Sequence, residues 1–159
     1  MTLSQEQINA ILEGTGTYED TPDADGNSLE GFFQHLSQQG MTAGSQAVSQ
    51  ALGKSVVLSH PEVSRLSAES LLKDTPSHQV MIQTGYQAGR DFPLLFLIKD
   101  YDVAVIFDIL MGKDGRNPDL EIGDLQISAI GEVMNQLIGA AATAISAELG
   151  TKLAMKPPA

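Results

Sequence analysis

Cysteine is absent from the 159 residues, and basic side chains are scarce, with 9 Lys and Arg against 20 Asp and Glu. Without cysteine the chain has neither a disulfide framework nor thiolate chemistry, which fits a cytoplasmic setting. The formal net charge of -11 leaves no basic footprint for nucleic acid. An acidic surface repels phosphate backbones and anionic lipid alike, and a protein face with a prominent lysine suits it better. No apolar run approaches the roughly 18 residues that a bilayer crossing needs. The opening MTLSQEQINAILEG lacks the basic region of a secretory leader. What is present is globular: 42% hydrophobic residues and a mean hydropathy of -0.03, in a length suited to one domain.

Three regions follow from the pattern. Residues 1–13 hold a short amphipathic helix, with Ser4 as its cap, Gln7 as the capping-box partner, and Leu3, Ile8, Ile11 and Leu12 toward one face. A helix of about ten residues is marginal alone in water, so this one needs a groove on a partner. Residues 14–27 are acidic and turn-rich and read as a flexible linker. Residues 28–159 are the folded domain. There the pattern predicts a helix over 28–52 with possible breaks at Gly40 and Gly44, and a strand over 54–60. A short helix capped by Ser67 follows, then an alternating strand over 78–86. FPLLFLIK (92–99) is almost continuously apolar and reads as a central strand covered on both sides. Asp100 or Asp102 caps a helix that ends at Gly112, the longest helix spans 124–149, and a strand spans 151–156.

An internal likeness recurs at an offset of 97 residues. GSQAVSQALGKSVVLSHP (44–61) lies over AATAISAELGTKLAMKPP (141–158), pairing Ala47 with Ala144, Ser49 with Ser146, Leu52 with Leu149, Gly53 with Gly150 and Pro61 with Pro158. It predicts a duplicated helix–strand unit, about 28–61 and 124–158. The expected architecture is α/β (α+β) with a pseudo-two-fold axis: two long helices packed on a mostly antiparallel sheet.

The long late helix carries the candidate chemistry. Ile127, Ile130, Met134, Leu137, Ile138, Ala141, Ile145 and Leu149 form a broad apolar stripe. Ser128, Glu132, Asn135 and Gly139 recur at steps of four, three and four, and share another face. A solvated helix face fits that line. A metal site lacks a second ligand, and paired-carboxylate hydrolysis lacks a second acid. A rigid asparagine has one further use: its amide can hold a water for attack on an electrophile carried by another molecule. His35, His60 and His78 have no ligand spacing, and Asp114-Gly115 reads as a turn.

ISAIGEVMNQLIGAAATAISAELGTKLAMKPP (127–158) resembles the helix-and-strand signature of the CheC/CheX/FliY phosphatases of bacterial chemotaxis. That signature is Asp or Ser, three residues, Glu, two residues, Asn, and a proline 23 positions on. Ser128, Glu132, Asn135 and Pro158 meet every position. Residues 85–136 follow the order of the family's middle segment, and LSQEQINAILEG is similar to the peptide by which FliY-type members and FliM capture phosphorylated CheY. The resemblance implies a CheC-like domain that dephosphorylates the aspartyl phosphate of CheY within the flagellar motor switch. It implies that Glu132 pairs with a lysine of CheY, that Asn135 holds the attacking water, and that Ser128 and Pro158 support them. Leu3, Ser4, Ile8, Ile11 and Leu12 would form the CheY-docking helix. The chain itself would bind no cofactor, the Mg²⁺ belonging to the response regulator. The other implied partners are the switch proteins FliM, FliG and FliN-like subunits, at the cytoplasmic face of the basal body, without membrane insertion or nucleic acid.

The first half departs from the motif. The repeat offset sets Gly31, His35 and Gln38 where Ser128, Glu132 and Asn135 stand, so this first site has lost its acid and reads as inactive. That decay keeps open a second possibility, a non-catalytic scaffold like FliM that binds CheY. No counterpart of the FliN-like C-terminal domain lies in these residues.

Overall fold

The computed structural model describes residues 6, 9–10, 29–59, 61–64, 66–74, 78–88 and 90–156. Of the N-terminal segment, Glu6, Asn9 and Ala10 are helical. The docking face expected of Leu3, Ser4, Ile8, Ile11 and Leu12, the linker over 14–27, and Pro158 lie outside the described residues.

The elements in chain order are α1 (Leu29–Leu52), α2 (Ala68–Asp74), β1 (Gln79–Ala88), β2 (Arg90–Lys99), α3 (Asp100–Leu110), α4 (Asp124–Leu149) and β3 (Ala154–Lys156). The sheet is antiparallel with order β2-β1-β3. The mixed α+β class and the antiparallel sheet are as expected. The role of β2 is not, since among the described residues it is an edge strand. Its outer face leaves Leu95 exposed, on the same side as Met81 of β1, so an unbroken apolar run here does not mark a strand covered on both sides.

α4 organises the rest because it buries two stripes. Ile130, Met134 and Ile138 join Val80 and Ile82 of β1 and Val103 of α3. On the other stripe Leu149 meets Leu36, and Val133 meets Val48 and Leu52, so α1 runs antiparallel along α4. The two long helices therefore pack side by side, with α4 between α1 and the sheet. Gly40 and Gly44 do not break α1. They are sites of close approach between the helices, since a methyl on Gly44 would stand 3.1 Å from Leu137 Cγ.

The two long helices end alike. Gly53 and Gly150 both take the left-handed conformation, with φ of 58° and 61°, which glycine adopts without steric cost. Ser49 Oγ accepts the Val56 N–H at 2.9 Å, and Ser146 Oγ accepts the Leu153 N–H at 3.0 Å. The likeness stops there. Residues 154–156 join the sheet, whereas 54–59, expected as a strand, are extended without a ladder among the described residues. Side chains of α1 satisfy that backbone instead: Ser49 Oγ accepts the Val56 N–H, and Ser45 Oγ accepts the Leu58 N–H at 2.8 Å. Among the described residues the likeness thus shows as two matching helix exits, and a two-fold arrangement of whole units is not shown.

The helix caps were only half legible. Ser67 Oγ accepts the Ser70 N–H at 3.1 Å, as expected for the start of α2. For α3 the cap position is Lys99, with no side-chain cap bond. Asp100 and Asp102 lie in the first turn, where they complement the helix dipole. At the other end of α3, Asp108 is only 4% exposed. Its carboxylate accepts Lys113 Nζ at 2.9 Å and the Gly115 N–H at 3.0 Å. The bond from Lys113, then that from Gly115, hold its carboxyl below the ordinary range against the opposing effect of burial. A depressed folded pKa contributes stability above the unfolded value of about 3.9, lost as pH falls through the folded value. Asp108→Asn should therefore melt below the parent at pH 7, with the gap closing as pH falls below about 4. Thermal unfolding followed from pH 7 to pH 2 measures it.

Candidate functional site

The N-terminal half of α4, the start of β1 and the start of α3 enclose a groove of about 680 Å³. Three of the four motif residues, Ser128, Glu132 and Asn135, line it together with Gly131. The opposite wall brings Gln79, Met81 and Asp100, and Ile122 and Ile127 add apolar surface.

The helix presents these side chains because its other two stripes are anchored. Gln126 Oε1 accepts the Gly123 N–H at 3.2 Å and fixes the first turn. From Ile130 onward the sheet and α1 pin the helix on two sides. Glu132 is exposed and accepts Gln136 Nε2 at 3.1 Å, a bond that leaves most of its carboxylate open to a partner. Asn135 is half-buried, and its carboxamide has no hydrogen-bond partner among the described residues. Ser128 is exposed. The groove is acidic: Asp100 is its second carboxylate, and no lysine or arginine lines it among the described residues.

The two first-half residues go elsewhere. His35 Nε2 lies 2.9 Å from Glu148 Oε1, across the packing of α1 on α4. Gln38 is exposed on α1. Neither lines the groove.

Several groove residues were hidden from sequence reasoning. Gln79 buries its Oε1 with no hydrogen-bond partner among the described residues. Its only sequence signal is its place at the head of β1. Asp100 stood out as a cap and instead faces the groove. Ile127 fell in the apolar stripe, yet it is 45% exposed. The buried residues of α4 begin at Ile130, so its first turn runs past the elements that cover the rest.

Residues 125–159 match the CheC-like family. Over 98% of its length the chain is 30% identical to the flagellar motor switch phosphatase FliY of Bacillus subtilis (strain 168). It spans 43% of that protein, less than half of the relative's length. The crystal structure of Thermotoga maritima FliY is similar with a TM-score of 0.77 at 28% identity, over 82% of this chain and 66% of that one. A chain of the FliG–FliM complex from H. pylori shares the fold, with a TM-score of 0.66 at 14% identity over 79% of this chain and 70% of its own. The chain is thus FliY-like along nearly its whole length, as the segment 127–158 led us to expect.

Proposed function

Proceeding from a FliY-like chain with a CheC-like segment, we propose that the groove on α4 serves hydrolysis of the aspartyl phosphate of a phosphorylated CheY-type response regulator. One observation carries this reading: Asn135, with an unpartnered amide, and Glu132, with an open carboxylate, face one groove from a helix pinned on two sides. The Bacillus subtilis relative, named a flagellar motor switch phosphatase, supports the same class.

In this reading the regulator presents its acyl phosphate to the groove. The Asn135 amide accepts a hydrogen bond from a water and aims its lone pair at phosphorus. The water oxygen bonds to phosphorus as the bond to the aspartyl oxygen breaks, releasing inorganic phosphate and the free carboxylate. A helix held in place pre-orients that water, and such orientation supplies a large share of a barrier reduction. Glu132 pairs with a lysine of the regulator and sets the register of the two surfaces. Ser128, one turn before it, and Pro158 support the motif without touching the reacting atoms. The Mg²⁺ that assists the step belongs to the regulator. Gln38 carries its amide one methylene further than an asparagine, and His35 leans to Glu148, so the first half contributes no second site.

The N-terminal helix with Leu3, Ser4, Ile8, Ile11 and Leu12 would capture the regulator, and residues 14–27 would tether it, raising its local concentration at Asn135. The cytoplasmic switch complex at the basal body, with FliM, FliG and FliN-like subunits, is the corresponding setting. A non-catalytic scaffold that binds the regulator is the competing reading. The fold shared with a chain of the FliG–FliM complex gives it its footing.

Glu132→Lys tests the register. Removing and reversing one member of a desolvated charge pair costs about 2 kcal/mol or more, so affinity for the phosphorylated regulator should fall at least about thirtyfold. Glu132 is exposed, so the melting temperature should hold. Affinity within about twofold of the parent, measured by titration calorimetry, would remove Glu132 from the interface.

A further inference from the structure

Beyond Gly31 in the first turn of α1, the two long helices hold four interior glycines, for two different reasons. In α1, a methyl on Gly40 would stand 3.3 Å from Ile145 Cδ1, and one on Gly44 would stand 3.1 Å from Leu137 Cγ. At both, α1 packs closely on α4 side chains that would have to give way. In α4, a methyl on Gly131 or Gly139 would meet nothing within 4 Å among the described residues. The fold has no steric use for either, and glycine in a helix interior is less stable than alanine. Their positions are informative. They stand four residues before and four residues after Asn135, one helical turn to each side on nearly the same face. Gly131 also forms part of the groove wall.

We infer that Gly131, with Gly139 beyond Asn135, keeps bare helix backbone on both sides of Asn135 so that the phosphate-bearing loop of the regulator can seat against it. The reach of asparagine is the physical reason. Its amide atoms lie only two bonds beyond Cβ, so a water held there reaches a phosphorus recessed in a partner only if the helix itself comes close. A leucine at 131 or 139 has the same reach as Asn135 and would hold the partner off by about a side-chain layer. Charge selects the occupant. Among the described residues Glu132 and Asp100 line the groove without a basic residue, which suits the lysine beside the acyl phosphate of a regulator and disfavours a free phosphorylated metabolite. The inference rests on the proposed phosphatase reading and adds the residues that govern access to it.

The test compares the full chain with Gly131→Ala, Gly131→Leu, Gly139→Leu, Asn135→Ala and, as a control, Ala147→Leu, an exposed position three turns from Asn135. Melting temperature, affinity for the phosphorylated regulator and single-turnover phosphate release are measured for each. We expect both Gly131 variants to melt at or above the parent. Phosphate release should fall modestly in Gly131→Ala and by about tenfold or more in Gly131→Leu and Gly139→Leu, with Ala147→Leu unchanged. Release within about twofold of the parent in Gly131→Leu, while Asn135→Ala is inactive, overturns the inference and leaves the phosphatase reading intact. A lowered melting temperature in Gly131→Leu also overturns it, because the position would then be packed. If the parent releases no phosphate, the catalytic reading fails, and affinity decides the inference: weaker binding by Gly131→Leu upholds close approach, and unchanged binding overturns it.

Discussion

Asn135→Ala should reduce the acceleration of phosphate release by about 10²-fold or more while leaving the fold and the affinity for the regulator in place. The expectation follows from what the side chain does and does not touch. Its carboxamide has no hydrogen-bond partner among the described residues, so truncation leaves no group of the protein unpaired. Alanine is also the better helix former, so the melting temperature should hold or rise slightly. In the proposed reaction the loss is the orientation of a nucleophile, felt in the transition state more than in the bound ground state. The rate constant should therefore fall with little change in half-saturating regulator concentration. A matched fall in affinity would instead mark Asn135 as a docking contact.

Ile138→Ala should carry the largest cost to folding, in the range of about 2–5 kcal/mol. Ile138 is 0% exposed and sits nearly one turn beyond Asn135, turned toward the core side of α4, among Val80, Ile82, Val103, Ile130 and Met134. The Tyr86 hydroxyl donates to its carbonyl oxygen at 3.3 Å, so the cavity would open beside the contact that ties β1 to α4. Such a loss is a large fraction of the roughly 5–15 kcal/mol that holds a domain together. Urea unfolding should show a lower midpoint with an unchanged slope. Below that midpoint the folded fraction should still release phosphate, separating the buried stripe of α4 from its groove face.

Much of this layout was legible because its signals are local. Gly123 and Gly150 bracket α4 within one residue of the expected bounds. The alternation over 78–86 marks β1, and the spacing of Ser128, Glu132 and Asn135 places them on one face whatever surrounds the helix. The misreadings share a different cause. Whether FPLLFLIK is central or at an edge depends on what pairs beyond it, and among the described residues β2 has only β1 beside it. Whether 54–59 forms a strand depends on competing acceptors, and Ser45 and Ser49 of α1 supply them. Whether Ile127 is buried depends on how far the sheet extends. The second wall of the groove, Gln79 and Asp100, comes from elements far from α4 in the chain, so helical spacing alone gave no access to it.

The central claim is that this chain hydrolyses an aspartyl phosphate on a partner rather than merely holding the partner. The direct measurement is the rate of inorganic phosphate release from the cognate phosphorylated CheY-type regulator, with Mg²⁺, in the presence and absence of the intact chain. The account predicts acceleration that saturates with regulator concentration and disappears with Asn135→Ala. Saturable binding of the phosphorylated regulator with no change in its rate of phosphate loss would contradict it and make the chain a scaffold.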